Sequence, residues 1–113
     1  MEFELNETQR MVQKAARDYA TRVIQPKAAE IDKLEIFPVE ILKGLAELGL
    51  TSVNVPSELG GAGAGVVSYV LAMQEVARAC ASTAVAMAVT NMVAEVIATF
   101  GSEAQRQHYC TKI

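Results

Sequence analysis

Tryptophan is absent from the 113-residue chain, and aromatic residues make up only 5% of it. Single-stranded nucleic acid is gripped largely by aromatic platforms, and few are on offer. Positive charge is not in excess either. Ten Lys and Arg stand against thirteen Asp and Glu, for a formal net charge of −3 and a pI near 5.1. The basic patch that a phosphate backbone demands is therefore missing, and no nucleic-acid partner is expected. The two cysteines, Cys80 and Cys110, and the single histidine, His108, form no metal-ligand spacing. A bridge between the cysteines is possible but nothing demands it, and both read as free thiols of a reducing compartment. Met1-Glu2-Phe3-Glu4-Leu5 lacks the basic region and apolar run of a secretory signal. The most apolar stretch, Ala84 to Phe100, is broken by Thr90, Asn91 and Glu95. It falls short of the roughly 20 apolar residues of a spanning helix, so no membrane span is expected and it reads as a buried helix.

What the chain does have is Ala, Val, Leu and Met, within a 51% hydrophobic and 20% charged composition. That balance supports one packed domain over residues 1–113. Asn6 is a good N-cap, and Gln9 completes a capping box. Met11, Val12, Ala15, Ala16, Tyr19, Ala20, Val23 and Ile24 then recur in pairs at helical spacing. Pro26 predicts a stop or kink at Gln25, with a short helical piece from Lys27 to about Lys33. Pro38 opens the next helix, striped by Ile41, Leu42, Leu45 and Leu48 and closed by a left-handed Gly49. Thr51 to Pro56 reads as extended. A glycine-rich loop, Gly60-Gly61-Ala62-Gly63-Ala64-Gly65, precedes a helix over Val66 to Ala79. A second follows over Ser82 to Phe100, apolar nearly all round and so expected at the centre of the bundle. Ser102 and Gln105 repeat the capping box for a last helix from Glu103. The fold class is all-α, a bundle of five to six helices without significant sheet. The last helix reaches Ile113 with no terminating residue or polar tail, which predicts that the natural sequence continues.

Few residues point to chemistry. The glycine loop lacks the preceding strand of a dinucleotide fingerprint and the Lys-Ser or Lys-Thr of a P-loop. It is either a tight turn between helices or a place where backbone approaches a ligand. His108 lies in the polar run Gln105-Arg106-Gln107-His108 and reads as a solvated face. Glu95 either occupies a wetted strip, pairs with a neighbouring cation, or acts as a carboxylate of raised pKa. Glu75 and Arg78 have the spacing of a surface pair. Thr90 and Asn91, set among Met87, Ala88, Val89, Met92 and Val93, either satisfy core backbone or line an apolar cavity beside adaptable Met side chains. No metal site and no catalytic set is present in the pattern.

Six landmarks in order carry a family resemblance: Ile24-Gln25-Pro26 with Ala28-Ala29-Glu30-Ile31-Asp32; Phe37-Pro38-Val39-Glu40; Leu45-Ala46-Glu47-Leu48-Gly49-Leu50; Val55-Pro56-Ser57-Glu58-Leu59-Gly60-Gly61-Ala62-Gly63; Glu75-Val76-Ala77-Arg78 with Ala81-Ser82-Thr83-Ala84; and Phe100-Gly101-Ser102-Glu103-Ala104-Gln105-Arg106. Together they resemble the N-terminal helical domain of acyl-CoA dehydrogenases, upstream of a middle β-domain. The resemblance implies FAD in a full-length parent, none held by these residues alone, and oxidation of an acyl-CoA thioester to the trans-2-enoyl thioester. It also implies the middle and C-terminal domains, an electron-transfer flavoprotein and a homo-oligomeric assembly as partners, in a bacterial cytoplasm or a mitochondrial matrix. By the same resemblance Met87, Thr90 and Asn91 are substrate-binding candidates, and no residue here is catalytic. Leu59 stands where the family often has an aromatic, and Thr90 where His is common. Two alternatives remain: a stand-alone helical interaction module, and the same domain of an acyl-CoA oxidase or flavin monooxygenase.

Overall fold

The computed structural model describes residues 3–113. Among them there are α-helices and helical turns but no strand. Helix α1, Glu7–Tyr19, starts on a reciprocal cap: the Gln9 amide donates to Asn6 Oδ1 and the Asn6 amide to Gln9 Oε1, both at 2.9 Å. Its inward stripe of Ala16, Ala20 and Ile24 is buried, whereas Met11, assigned to that stripe from spacing, is 65% exposed.

At Pro26 the expected stop does not occur. A π-helical turn, Ala20–Ile24, leads without interruption into α2, Gln25–Leu34. The Gln25 amide bonds back five residues, to the Ala20 carbonyl. Proline ordinarily breaks a helix by its missing donor and by its ring meeting the carbonyl four residues before. One widened turn ahead of Pro26 eases that conflict, so the helix is locally unwound and carries on.

Helix α3, Val39–Glu47, begins just after Pro38 and ends at Gly49, whose φ of +77° needs no Cβ. Ile41 and Leu45 are buried, while Leu48 at 46% exposure lies outside the packed face. The segment 51–56 is not extended as expected; it is a series of buried turns. Its backbone groups pair with the glycine loop: Ala62 N–H to Ser52 O (3.0 Å), Gly63 N–H to Val55 O (2.9 Å) and Ala64 N–H to Val53 O (2.8 Å). A Cβ at Gly61 would overlap the Val55 carbonyl, so the close approach of the two loops requires glycine there.

Helices α4, Val66–Ala79, and α5, Ala81–Phe100, join through an extended Cys80; α6, Glu103–Tyr109, carries the second reciprocal cap and runs into a 3₁₀ turn, Cys110–Lys112. Helix α1 lies along α4, and α4 along α5. The main core joins Ala16, Ala20 and Ile24 with Leu45, Val53, Ala72, Val76 and Met87. A smaller one gathers Val55, Leu59, Ala94 and Cys110.

Two sequence expectations are overturned by this packing. Glu75 is buried, and its partner is Arg17 of α1 at 2.9 Å, not Arg78 on its own helix. Spacing along one helix cannot show that α1 crosses over the same carboxylate. Helix α5 is not at the centre. Thr83, Ala84, Met87, Asn91 and Ala94 face inward, but Val85, Val89, Met92, Val96 and Phe100 are exposed, Phe100 by 81%. Only one side of α5 has neighbours among the described residues. At 20 residues it also reaches the length of a spanning helix, contrary to the shorter stretch read from the sequence. Its midpoint nevertheless carries a buried, bonded Asn91, and Glu95 follows one turn later.

Candidate functional site

Where α5 leaves α4 towards its C-terminal half, a groove of about 470 Å³ opens between the two helices and the 51–56 turns. Val66 and Tyr69 of α4 form one wall; Met92, Val96, Thr99 and Phe100 of α5 form the other. Asn54, Asn91 and Glu95 supply its polar atoms. An elongated cleft with apolar walls and few polar groups suits the chain of an apolar ligand.

The three substrate-binding candidates share α5 but occupy different surroundings. Met87 is completely buried in the main core. Asn91 is 5% exposed; its Oδ1 accepts from the Val53 amide at 2.8 Å, and its Nδ2 donates to the carbonyls of Leu50 (2.8 Å) and Met87 (2.9 Å). Thr90 is half-buried and donates to Ala86 O at 2.9 Å. It lines a second, shallower groove of about 350 Å³ with Phe37, Val39, Leu42 and Ile113, rimmed by Lys43 and Lys112. Only Asn91 of the three borders the larger groove. Glu95 borders it too, exposed and without an ion pair among the described residues, as the wetted-strip reading has it.

Sequence reasoning missed Asn54 and Tyr69. Neither lies in a periodic pattern that marks a groove: Asn54 sits in the turns misread as extended, and Tyr69 is an ordinary early-helix residue. The Asn54 Oδ1 is buried with no donor from the protein, an arrangement that costs stability unless a partner arrives.

The glycine loop does not suit a flavin pyrophosphate. Cradling phosphate needs free backbone amides converging on one point. Here the amides of Gly61, Ala62, Gly63 and Ala64 are all committed, to Pro56, Ser52, Val55 and Val53 carbonyls. His108 is exposed, its ring meeting Tyr109 edge-on at 4.7 Å, with no carboxylate partner among the described residues that would make it a general base. Both cysteines are free thiols. Burial pushes the Cys80 thiol up, but hydrogen bonds from Ser82 and Thr83 outweigh it and hold the thiol below its ordinary range.

Comparison with known proteins gives a consistent answer. Residues 6–113 match the family model described as acyl-CoA dehydrogenase, N-terminal domain. The chain is 42% identical over 109 residues to the mitochondrial short-chain specific acyl-CoA dehydrogenase of Rattus norvegicus, covering 96% of this chain and 26% of that one. It superposes with a TM-score of 0.91 on butyryl-CoA dehydrogenase from Megasphaera elsdenii, at 30% identity, covering 98% of this chain and 30% of that one. It superposes with a TM-score of 0.95 on a chain from a structural study of the electron transferring flavoprotein of Acidaminococcus fermentans, at 32% identity and again 30% of that chain's length.

Proposed function

Because this chain belongs to the acyl-CoA dehydrogenase family, as its N-terminal domain, we propose that it forms one wall of an acyl-binding cavity in a flavin-dependent enzyme that oxidises short-chain acyl-CoA thioesters to 2-enoyl thioesters. The groove between α4 and α5, open along its outer side, is the observation that carries this reading. An acyl chain laid there meets Val66, Met92, Val96 and Phe100, and gains the free energy of apolar burial only when further polypeptide closes the open side. Thr90, in the adjacent groove, is a contact for polypeptide or ligand seated on α5. Met87 and Asn91 serve the acyl site from inside, by holding the helix in place.

The short-chain class follows the names of the relatives. Membership of the family supports the remaining assignments: a middle and a C-terminal domain following residues 1–113, FAD and the proton-abstracting carboxylate held outside these residues, an electron-transfer flavoprotein as electron acceptor, a homo-oligomeric assembly, and a mitochondrial or bacterial cytoplasmic location. The glycine loop's committed amides support placing the flavin elsewhere.

The test is to purify the full-length gene product and follow dye reduction with butyryl-CoA, hexanoyl-CoA and octanoyl-CoA. Turnover fastest with butyryl-CoA is expected. A gene product that oxidises no acyl-CoA, while fully folded and loaded with flavin, removes the reading.

A further inference from the structure

We propose that Asn91, at the border of the acyl groove, is a positioning residue that sets the groove's width, and through it the acyl length accepted, by its bonds to the protein and not by a bond to the ligand. The proposal rests on the assignment of the α4–α5 groove as the acyl site.

A neutral amide has two N–H donors and one carbonyl acceptor. In Asn91 both donors are used, on Leu50 O and Met87 O, and the Oδ1 receives the Val53 amide. No N–H remains to offer a ligand. What the amide does instead is tie α5 to Leu50, just before the 51–56 turns, and to Val53 within them. The residue following Val53 is Asn54, in one side of the groove; the residue following Asn91 is Met92, in the other. The spacing of these two lining residues is therefore set by one buried side chain. The turns themselves are stitched to the glycine loop by the bonds from Ala62, Gly63 and Ala64. The amide thus joins α5 to turns that are themselves bonded to the glycine loop.

No other residue type supplies this set of bonds at this length. Aspartate has no donors and would face two carbonyl oxygens. Leucine fills the space and leaves the Val53 amide and Leu50 carbonyl unpaired. Glutamine places its amide one methylene further out.

In the full-length gene product, the ratio of KM for butyryl-CoA to KM for octanoyl-CoA is the readout, with the thermal midpoint measured alongside. Asn91→Asp is expected to raise that ratio about tenfold by letting the groove widen, with kcat on butyryl-CoA changing less than the ratio does. Asn91→Gln, which keeps both donors and the acceptor but sets the amide one methylene further out, is expected to raise it in the same direction by about threefold. Leu45→Ala, in the core away from the groove, is expected to lower the midpoint and leave the ratio alone. Should Asn91→Asp lower the midpoint with the ratio unchanged, Asn91 is structural only and the proposal fails. If Asn91→Asp does not fold, an unchanged ratio in Asn91→Gln overturns it equally. A wild-type protein without acyl-CoA turnover removes the acyl assignment itself, an outcome visible before any variant is made.

Discussion

Along α1 the exposed positions carry mostly polar side chains, Glu7, Thr8, Arg10, Lys14 and Arg17 beside a single Met11, whereas along α5 they carry mostly apolar ones, Val85, Val89, Met92, Val93, Val96 and Phe100 beside Glu95 and Thr99. Both helices bury an inner stripe of small and medium apolar side chains in the same core. The outer side of α1 is finished for water: Lys14 pairs with Asp18 at 2.7 Å, and Arg17 reaches across to Glu75. Hydrogen bonding to Lys14 holds the Asp18 carboxyl below its ordinary range, against a smaller opposing effect of burial. The outer side of α5 has no such arrangement. Each large apolar side chain left in water forgoes about 1.5–3 kcal/mol of burial, and a contiguous row of them marks a surface for contact with other polypeptide. Amphipathicity thus separates a helix that faces solvent from one that faces a further layer.

That contrast can be broken or sharpened at four places. The largest effect is expected on the inner side of α5: Met87→Ala should cost about 2–5 kcal/mol in the 113-residue chain, read by urea denaturation, since Met87 is completely buried. A cost below about 1 kcal/mol would mean that α5 is not anchored in the core at all. Next is Gly44→Ala, on the α1 side. The new Cβ would overlap the ring and hydroxyl of Tyr19, whose O–H donates to Ile41 O at 2.8 Å. Loss of about 1–3 kcal/mol is expected, since α1 and α3 must separate to admit the methyl group. A smaller loss, about 1 kcal/mol, is expected for Asn6→Ala, which removes the side chain that caps α1.

The smallest effect on stability, and the most telling, concerns the outer side of α5. Val89→Lys with Val96→Lys should change stability by no more than about 0.5 kcal/mol, because both side chains are half exposed and belong to neither core cluster. In sedimentation, the unsubstituted chain is expected to self-associate and the doubly substituted one to do so less. A monomeric, dye-excluding wild-type chain would show that this face needs no cover.

Helix existence and type were legible in the sequence wherever a local signal sufficed. Asn6 with Gln9 and Ser102 with Gln105 each declare a helix start through bonds spanning three residues. Gly49 declares a stop through its own backbone conformation. The span of α4 follows directly from its apolar run. Pro26 marked the disturbance and the helical piece that follows it, but that the chain runs on without a stop depends on a widened turn before it, which the local rule does not encode. Residues 51–56 were misread because their backbone partners lie in the glycine loop, and alternation alone cannot reveal them.

The candidate site divides in the same way. Order and identity of the landmark residues were enough to place the chain in its family, and Asn91 stood out as a polar residue in an apolar run. What the amide does there depended on where Leu50 and Val53 come to rest, many residues away in the chain. The sequence by itself determined the helices, their caps and the family, because those rest on short-range bonding and on residue order. Only the tertiary structure decided which side of α5 is buried, that Glu75 belongs to Arg17, and that Asn54 and Tyr69 share a groove. An almost uniformly apolar helix carries no periodicity to orient it, and ion pairs and clefts form between segments that residue spacing does not connect.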